Sequence, residues 1–302
     1  MLSILLPVFR YDVTPLVRAL RIQMQALAVP SEIVLLDDAS GPEWAALHQP
    51  LGELSHVRYE VLLENIGRAA IRNRLAERAQ YDYLLFLDGD SGVVRDDFLV
   101  NYSAHLAPQQ VLCGGRIYAA QVPTDPTLRL HWHYGHARET RALAERQAHP
   151  HHGFMTNNFV VPKNLLAAIP FEEAITQYGH EDTLWGHALQ AANIPILHLD
   201  NPISHLGLEA AEHWLGKQQQ AIENLYRLHR QFPQLDTKAL RYWRKLHRFG
   251  LLRVTYPWWR ASAQDWTGKL LTAEVPNFCY LDLLKLYWLE DAHRKYGRGI
   301  TQ

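Results

Sequence analysis

Tyr83-Leu84-Leu85-Phe86-Leu87-Asp88-Gly89-Asp90-Ser91 is the stretch on which the reading of this chain turns. An apolar run passes directly into two carboxylates separated by one glycine. A continuous apolar run this short, with turn residues after it, predicts a strand buried on both faces. In extended backbone, residues two apart point to the same side. Asp88 and Asp90 are therefore expected to face one point just beyond the strand's carboxyl end. Gly89 has no side chain, which leaves room for a ligand to approach the backbone. Two hard anionic oxygens aimed at one spot suit Mg²⁺ or Mn²⁺. Asp-Gly is also ordinary turn chemistry, so the triplet alone reads either as a metal site or as a turn.

Upstream, apolar runs alternate with helical patterns. Leu2–Leu6 is a short strand stopped by Pro7. Thr14-Pro15 reads as an N-cap with proline at the first helical position, and Leu16, Leu20, Met24 and Leu27 follow at helical spacing. Ile33–Leu36 is a second strand ending in Asp37-Asp38-Ala39-Ser40-Gly41, and Val57–Leu63 is a third. Asn65-Ile66-Gly67 leads into a helix over 68–79, where Arg68 and Arg72 share a face. Such alternation predicts an α/β fold, a mostly parallel sheet with helices packed on it. Ligands of open α/β sheets bind at the carboxyl edge of the strands. That edge carries residues 7–11, Asp37, Asp38, Asp88 and Asp90, with Arg68 and Arg72 nearby. Acids for a metal beside cations for phosphate would suit a nucleotide diphosphate; a plain solvated rim is the competing reading.

The chain has 302 residues, 48% of them hydrophobic, enough for one large domain or two smaller ones. A formal net charge of -1 provides no whole-chain field to recruit nucleic acid. Cys113 and Cys279 lie far apart and form no CxxC pair, which suits a reducing compartment. The amino terminus lacks a basic leader and reads as a first strand, and no stretch reaches the roughly eighteen apolar residues of a membrane span. The expected location is cytoplasmic. Neither GxGxxG after the first strand nor GxxxxGK[ST] occurs. The histidine-rich segments 131–136 and 149–152 lack the spacing of a zinc site and read as surface or loop features.

Asn157 and Asn158 precede a further apolar strand and could bind substrate hydroxyls or cap a turn. Glu181-Asp182 sits at the amino end of a helix, where the dipole favours a carboxylate; capping alone would also account for the pair. His205 follows the strand Ile194–Leu199, a position where a histidine is usually structural. From about 209 the chain becomes helical, closing with an amphipathic helix from Tyr280 to Tyr296. Between Lys238 and Lys269, eight basic residues face the single acid Asp265, interleaved with Tyr242, Trp243, Phe249, Tyr256, Trp258, Trp259 and Trp266. This composition suits an anionic membrane surface or glycolipid, or a helical subdomain packed through its aromatics; nucleic acid is the weakest fit.

Taken in order, these pieces resemble the family-2 glycosyltransferases of the GT-A fold over roughly residues 1–210, leaving 211–302 as a helical extension. The resemblance rests on Leu6-Pro7-Val8-Phe9, Leu36-Asp37-Asp38-Ala39-Ser40, Asn65-Ile66-Gly67 with Arg72-Asn73, Asp88-Gly89-Asp90 and Glu181-Asp182. It implies an inverting transfer of a single sugar from a nucleotide-diphosphate sugar, a UDP-sugar first, to a hydroxyl of a glycan or lipid-linked glycan. It implies that Pro7, Val8, Phe9, Tyr11 and Asp38 hold the base, and that Asn65, Gly67, Arg72, Gly89 and Asn158 line the donor site. Asp88 would touch the ribose or the metal shell, Asp90 would ligate Mn²⁺ or Mg²⁺, His205 would complete that metal site, and Asp182, beside Glu181, would be the catalytic base. No Gln-x-x-Arg-Trp signature is present, which argues against a processive synthase. A sugar-nucleotide pyrophosphorylase would want a glycine-rich first loop, and residues 7–12 contain no glycine. A non-catalytic nucleotide-sugar or carbohydrate-binding module on the same fold is the remaining alternative.

Overall fold

The amino-terminal apolar run becomes β1 (Leu2–Val8), and the computed structural model assembles a seven-stranded sheet around it. The structure describes residues 1–152, 154–175 and 177–297. The sheet's other strands are β2 (Ser31–Asp37), β3 (Val57–Val61), β4 (Tyr83–Leu87), β6 (Val111–Cys113), β8 (Asn158–Pro162) and β9 (Ile196–His198). Their order is β3-β2-β1-β4-β8-β6-β9. β8 runs antiparallel to both its neighbours, while β3, β2, β1 and β4 are mutually parallel. A smaller sheet pairs β5 (Ser91–Val93), β10 (Ile203–His205) and β7 (Arg116–Ile117) in the order β5-β10-β7.

The parallel strands need crossovers, and α1 (Thr14–Met24), α2 (Pro42–His48) and α3 (Arg68–Arg78) supply them. Alternation along β1 sends Leu2, Ile4, Leu6 and Val8 to one core with Leu16, Val17 and Leu20 of α1. Leu5 faces the opposite core with Phe86, Phe159, Trp185 and the apolar face of α3. Both faces of the sheet are covered, which explains the continuous apolar reading of Leu84–Leu87, all fully buried. Each such side chain taken from water contributes about 1.5–3 kcal/mol.

Three local expectations change. β1 runs through Pro7, because its pairing with β4 ends at Leu5. Val8 accepts from Asp38 N–H on the β2 side, so Pro7 turns its missing donor toward the side where no ladder remains. Thr14 does not cap α1; Asp12 Oδ1 accepts from Thr14 N–H at 2.9 Å instead. The strand at the chain's central stretch stops at Leu87, and Asp88-Gly89-Asp90 is a turn closed by Ser91 N–H donating to Asp88 O at 3.2 Å.

The chain divides into two units. The first is Met1–Ala120, Arg138–Thr176 and Glu181–Gly207, and holds both sheets with α4 (Phe98–Ser103), α6 (Leu143–Ala148), α7 (Lys163–Ala168) and α8 (Glu181–Ala191). The second is Gln121–Ala137, Gln177–His180 and Leu208–Gln302. It contains α5 (Arg129–Tyr134), α9 (Ala211–Gln231), α10 (Lys238–Arg248), α11 (Leu252–Thr272) and α12 (Phe278–Tyr296). Its core is aromatic: Trp243 is buried and donates Nε1–H to Glu290 at 3.1 Å, and Trp259, Trp266 and Trp288 are buried as well.

Candidate active site

The carboxyl ends of β1, β2 and β4 lie on one edge of the first unit, and the residues beyond them build the candidate site. After β2, Asp37 is fully buried and serves the fold: it accepts from Ser40 N–H at 2.7 Å and from the Tyr59 hydroxyl at 2.8 Å. Asp38 reaches the loop before α3, where Ile66 N–H and Gly67 N–H donate to its two oxygens at 2.7 and 3.1 Å. Gly67 takes φ +85°, a conformation open to glycine, to present that N–H. Asn65 donates to the Asp38 carbonyl at 3.2 Å. Burial pushes the Asp38 carboxyl above its usual range, against the pull of those two N–H groups. Past β1, Phe9 is half exposed with the Arg10 guanidinium 5.1 Å from its ring centre. Burial, then the charges of Asp90 and Asp12, push the Tyr11 phenol up, so Tyr11 stands in the field of Asp90.

The turn after β4 splits its two acids. Asp88 Oδ1 accepts from Arg72 Nη2 at 2.9 Å, and its Oδ2 lies 3.7 Å from Arg116 Nη2. Asp90 Oδ1 is buried with no hydrogen-bond donor among the described residues, and His205 Nδ1 stands 3.5 Å away. Burial opposes the charge on Asp90, but His205, then Arg116 and Arg68, outweigh it and draw the carboxyl down to about 2. The two acids are brought together by a turn and by Arg116 between them, not by strand alternation. Gly89 also differs from expectation: a methyl there would meet Val13 at 3.1 Å and the Pro7 carbonyl at 3.3 Å. Its bareness lets the turn pack on the end of β1, not a ligand on the turn.

Arg72 is almost fully buried and also lies 3.9 Å from Glu181 Oε1, with Arg68 at 3.7 Å from the same oxygen. Glu181 and Asp182 open α8. Asp182 Oδ1 accepts from its neighbour Thr183, at 2.6 Å from the backbone N–H and 3.2 Å from the hydroxyl. Burial and then the adjacent Glu181 push the Asp182 carboxyl up to about 6, against Thr183 and Arg72. A carboxylate with that affinity is matched to taking a proton near neutral pH.

Asn158 is not brought to this cluster. It is fully buried; its oxygen accepts from the Tyr102 hydroxyl at 2.6 Å and its amide donates to Gly115 and Asn201 carbonyls. Both its amide hydrogens are used in tying β8 to the loops at Gly115 and Asn201. Sequence reasoning missed Arg116, Tyr118, Glu139 and Gly207. Arg116 Nη1 donates to Glu139 Oε2 at 2.8 Å, the Tyr118 hydroxyl donates to the same oxygen, and the Tyr118 ring sits edge-on to His205 at 5.2 Å. A side chain at Gly207 would collide with Asp90 Oδ2. Arg116 and Tyr118 stand at the short strand β7 and just past its end, a pair that no pattern in the sequence marks. Glu139 is joined to them only through space.

Asp90 and His205 fit a divalent cation. An unpartnered buried carboxylate oxygen beside an imidazole is a donor pair suited to Mn²⁺. Among the described residues no three of His, Cys, Asp and Glu form a closed metal cage. A cation of this class completes its shell with water and substrate phosphate when few protein ligands are present.

The chain resembles solved GT-A structures along most of its length. It is 14% identical to the mannosyltransferase PcManGT from Pyrobaculum calidifontis in complex with GDP-Man and Mn²⁺, covering 98% of this chain and 87% of that one at a TM-score of 0.58. It is 16% identical to glucosyl-3-phosphoglycerate synthase from Mycobacterium tuberculosis in complex with Mn²⁺, UDP and glucosyl-3-phosphoglycerate, covering 75% and 79% at a TM-score of 0.51. S. aureus TarS 1-349 in complex with UDP matches at 17% identity, over 99% and 92% of the two chains, at a TM-score of 0.50. No curated protein matches. These likenesses establish the fold, a mostly parallel α/β sheet of GT-A type. The model of the family described as Glycosyl transferase family 2 matches residues 3–166, more than half of the sequence. The chain is a glycosyltransferase and belongs to glycosyl transferase family 2.

Proposed function

We propose that this enzyme moves one sugar from a nucleotide-diphosphate sugar, a UDP-sugar first, to a hydroxyl of a glycan or lipid-linked glycan with inversion at the anomeric carbon. The observation that carries the reading is one connected charge network. It runs from Asp182 through Glu181 and Arg72 to Asp88, and on through Arg116 to Asp90 and His205. Residues 1–210 carry donor binding and catalysis, and 211–302 form the helical extension.

Residues 7–11 and Asp38 hold the base, as the carboxylate of Asp38 keeps acceptor capacity beyond its two backbone donors. Arg68, about half exposed beside Glu181, would meet the diphosphate, while Arg72 and Arg116 fix Asp88. Asp90 and His205 would hold the divalent ion, which when bound supplies positive charge to the departing diphosphate. Asp182 takes the proton from the acceptor hydroxyl as the new oxygen–carbon bond forms. The bond from the anomeric carbon to the diphosphate oxygen breaks on the opposite face, and the pair of electrons leaves with the nucleoside diphosphate.

The second unit carries a face that fits an anionic membrane surface. Phe249, Leu251, Val254 and Trp258 are exposed at the start of α11, beside the exposed Lys245, Arg248, Arg253 and Arg260. Apolar rings flanked by cations fit a helix lying in a lipid interface. No described helix is long and apolar enough to cross a membrane. The inner face of the membrane, where anionic lipid meets cytoplasmic nucleotide sugar, is the working place in this reading.

A panel of nucleotide sugars with Mn²⁺, read by released nucleoside diphosphate, tests it. One donor, a UDP-sugar, should be turned over and the release abolished by chelator. Release that is equal across bases, or indifferent to metal, would overturn the donor and cofactor assignments.

A further inference from the structure

Glu139 lies outside every motif of the family resemblance, yet it bonds to two side chains that reach both arms of the candidate site. It closes a π-helical turn, Gly135–Glu139, a distortion that often marks functional positions. Its Oε2 receives two donors, Arg116 Nη1 at 2.8 Å and the Tyr118 hydroxyl. Through Arg116 it reaches Asp88, whose Oδ2 is 3.7 Å from Arg116 Nη2. Through Tyr118 it reaches His205, because the phenol ring packs edge-on against the imidazole at 5.2 Å. Both links are shielded: the Arg116 and Glu139 side chains are 14% and 22% exposed. In that setting a charge-assisted hydrogen bond fixes geometry more than it does at the surface. Arg116 belongs to β7 and His205 to β10, which pair in parallel, so one carboxylate locks side chains from two adjacent strands.

Without Glu139 the Arg116 guanidinium would lose its nearest carboxylate and turn toward Asp88 and Asp90. The latter is the oxygen donor the metal reading needs left open. The Tyr118 ring would lose the anchor that holds it against His205.

We infer that Glu139 is a positioning residue of the active site, setting Arg116 and, through Tyr118, the orientation of His205, so that Asp90 Oδ1 stays open beside that imidazole for the divalent cation. This rests on the metal reading proposed above.

The experiment measures Mn²⁺-dependent UDP binding by calorimetry, and melting temperature, on wild type, Glu139→Gln, Glu139→Ala, Tyr118→Phe and Asp90→Asn. Partners that orient a metal ligand indirectly typically matter by 10–100-fold in metal affinity. Glu139→Ala should therefore weaken Mn²⁺-dependent UDP binding by about tenfold or more. UDP binding without metal should stay within about twofold, because a purely structural loss would lower both together. Glu139→Gln, which keeps an acceptor oxygen, should recover part of the loss, and Tyr118→Phe should lose less than Glu139→Ala. Asp90→Asn separates the two claims. If Asp90→Asn abolishes the Mn²⁺ effect while Glu139→Ala leaves it intact, the positioning role is wrong and the metal site stands. If Asp90→Asn leaves the Mn²⁺ effect intact, the metal reading fails, and the positioning role with it. Should Glu139→Ala not fold, Glu139→Gln against Tyr118→Phe decides the same question, with unchanged Mn²⁺ dependence in both overturning the inference.

Discussion

Arg72 Nη2 is bonded to Asp88 Oδ1 at 2.9 Å, and the arginine is only 2% exposed. This pair ties the helix after β3 to the turn after β4, with the Arg72 guanidinium also 5.9 Å from the Phe171 ring centre. Removing one partner of a buried ion pair leaves the other uncompensated, at a typical cost of about 3–5 kcal/mol. Asp88 retains some solvent contact at 22% exposed, so the lower end applies. Arg72→Met should therefore destabilise by about 3 kcal/mol, seen as an earlier midpoint in urea. Arg72→Lys keeps the charge but loses the fork geometry, and should cost about half as much. A midpoint unchanged in Arg72→Met would mean the pair holds nothing together.

Asp182 makes stability and activity move in opposite directions with pH. Its carboxyl is pushed from 3.8 up to about 6 in the folded chain. Between those values the folded protein holds a proton that the unfolded chain has released. Asp182 therefore supports the fold fully below pH 3.8, and that support is lost as the pH rises through about 6. Two pH units amount to about 3 kcal/mol at full weight, and about 1–2 kcal/mol for a carboxyl still partly open to solvent. Asp182→Asn should melt higher than wild type at pH 8 and near it at pH 4. Wild-type turnover should fall about tenfold per unit below pH 6, where the base is protonated. A melting difference that grows toward acid pH instead would contradict the assignment of the shift to Asp182.

The exposed rings and cations around α11 should carry the protein to anionic lipid. Flotation with vesicles of phosphatidylcholine and about 30% phosphatidylglycerol is the assay, with pure phosphatidylcholine as the control. Binding should appear on the anionic vesicles at low salt and weaken at physiological salt. Reversing Arg248, Arg253 and Arg260 to glutamate removes at least about 1 kcal/mol for each charge and should abolish it. Wild-type protein that stays unbound at both salt concentrations would leave the face without a lipid partner, and a mass that doubles with concentration would give it to a second copy.

The sheet was legible because burial on both faces writes itself as uninterrupted apolar runs, and the edge that bears the acids followed from strand order. Asp90, Asp182 and His205 stood out by residue type at strand and helix ends, while the roles proposed for them came from the family resemblance. The turn at Asp88-Gly89-Asp90 was misread as extended because period-two reasoning holds only while the ladder continues, and β4 ends at Leu87. Asn158 looked available because an amide before a strand has no sequence mark for burial; here it is buried and ties β8 to Tyr102 of α4 and to the Asn201 carbonyl. Glu139 was invisible, since its partners lie 23 and 21 residues away and are met only through tertiary packing.

If Asp182 is the base of a sugar transfer, its loss must show in the single-turnover transfer rate of Asp182→Asn, measured beside donor affinity on one folded preparation. Loss of a general base typically costs about 10²–10⁴ in rate. The transfer rate should fall by at least about a hundredfold, with donor binding within about twofold of wild type, because the carboxylate acts on the acceptor's proton. A variant that binds donor normally and still transfers at more than about a tenth of the wild-type rate would show that the proton goes elsewhere.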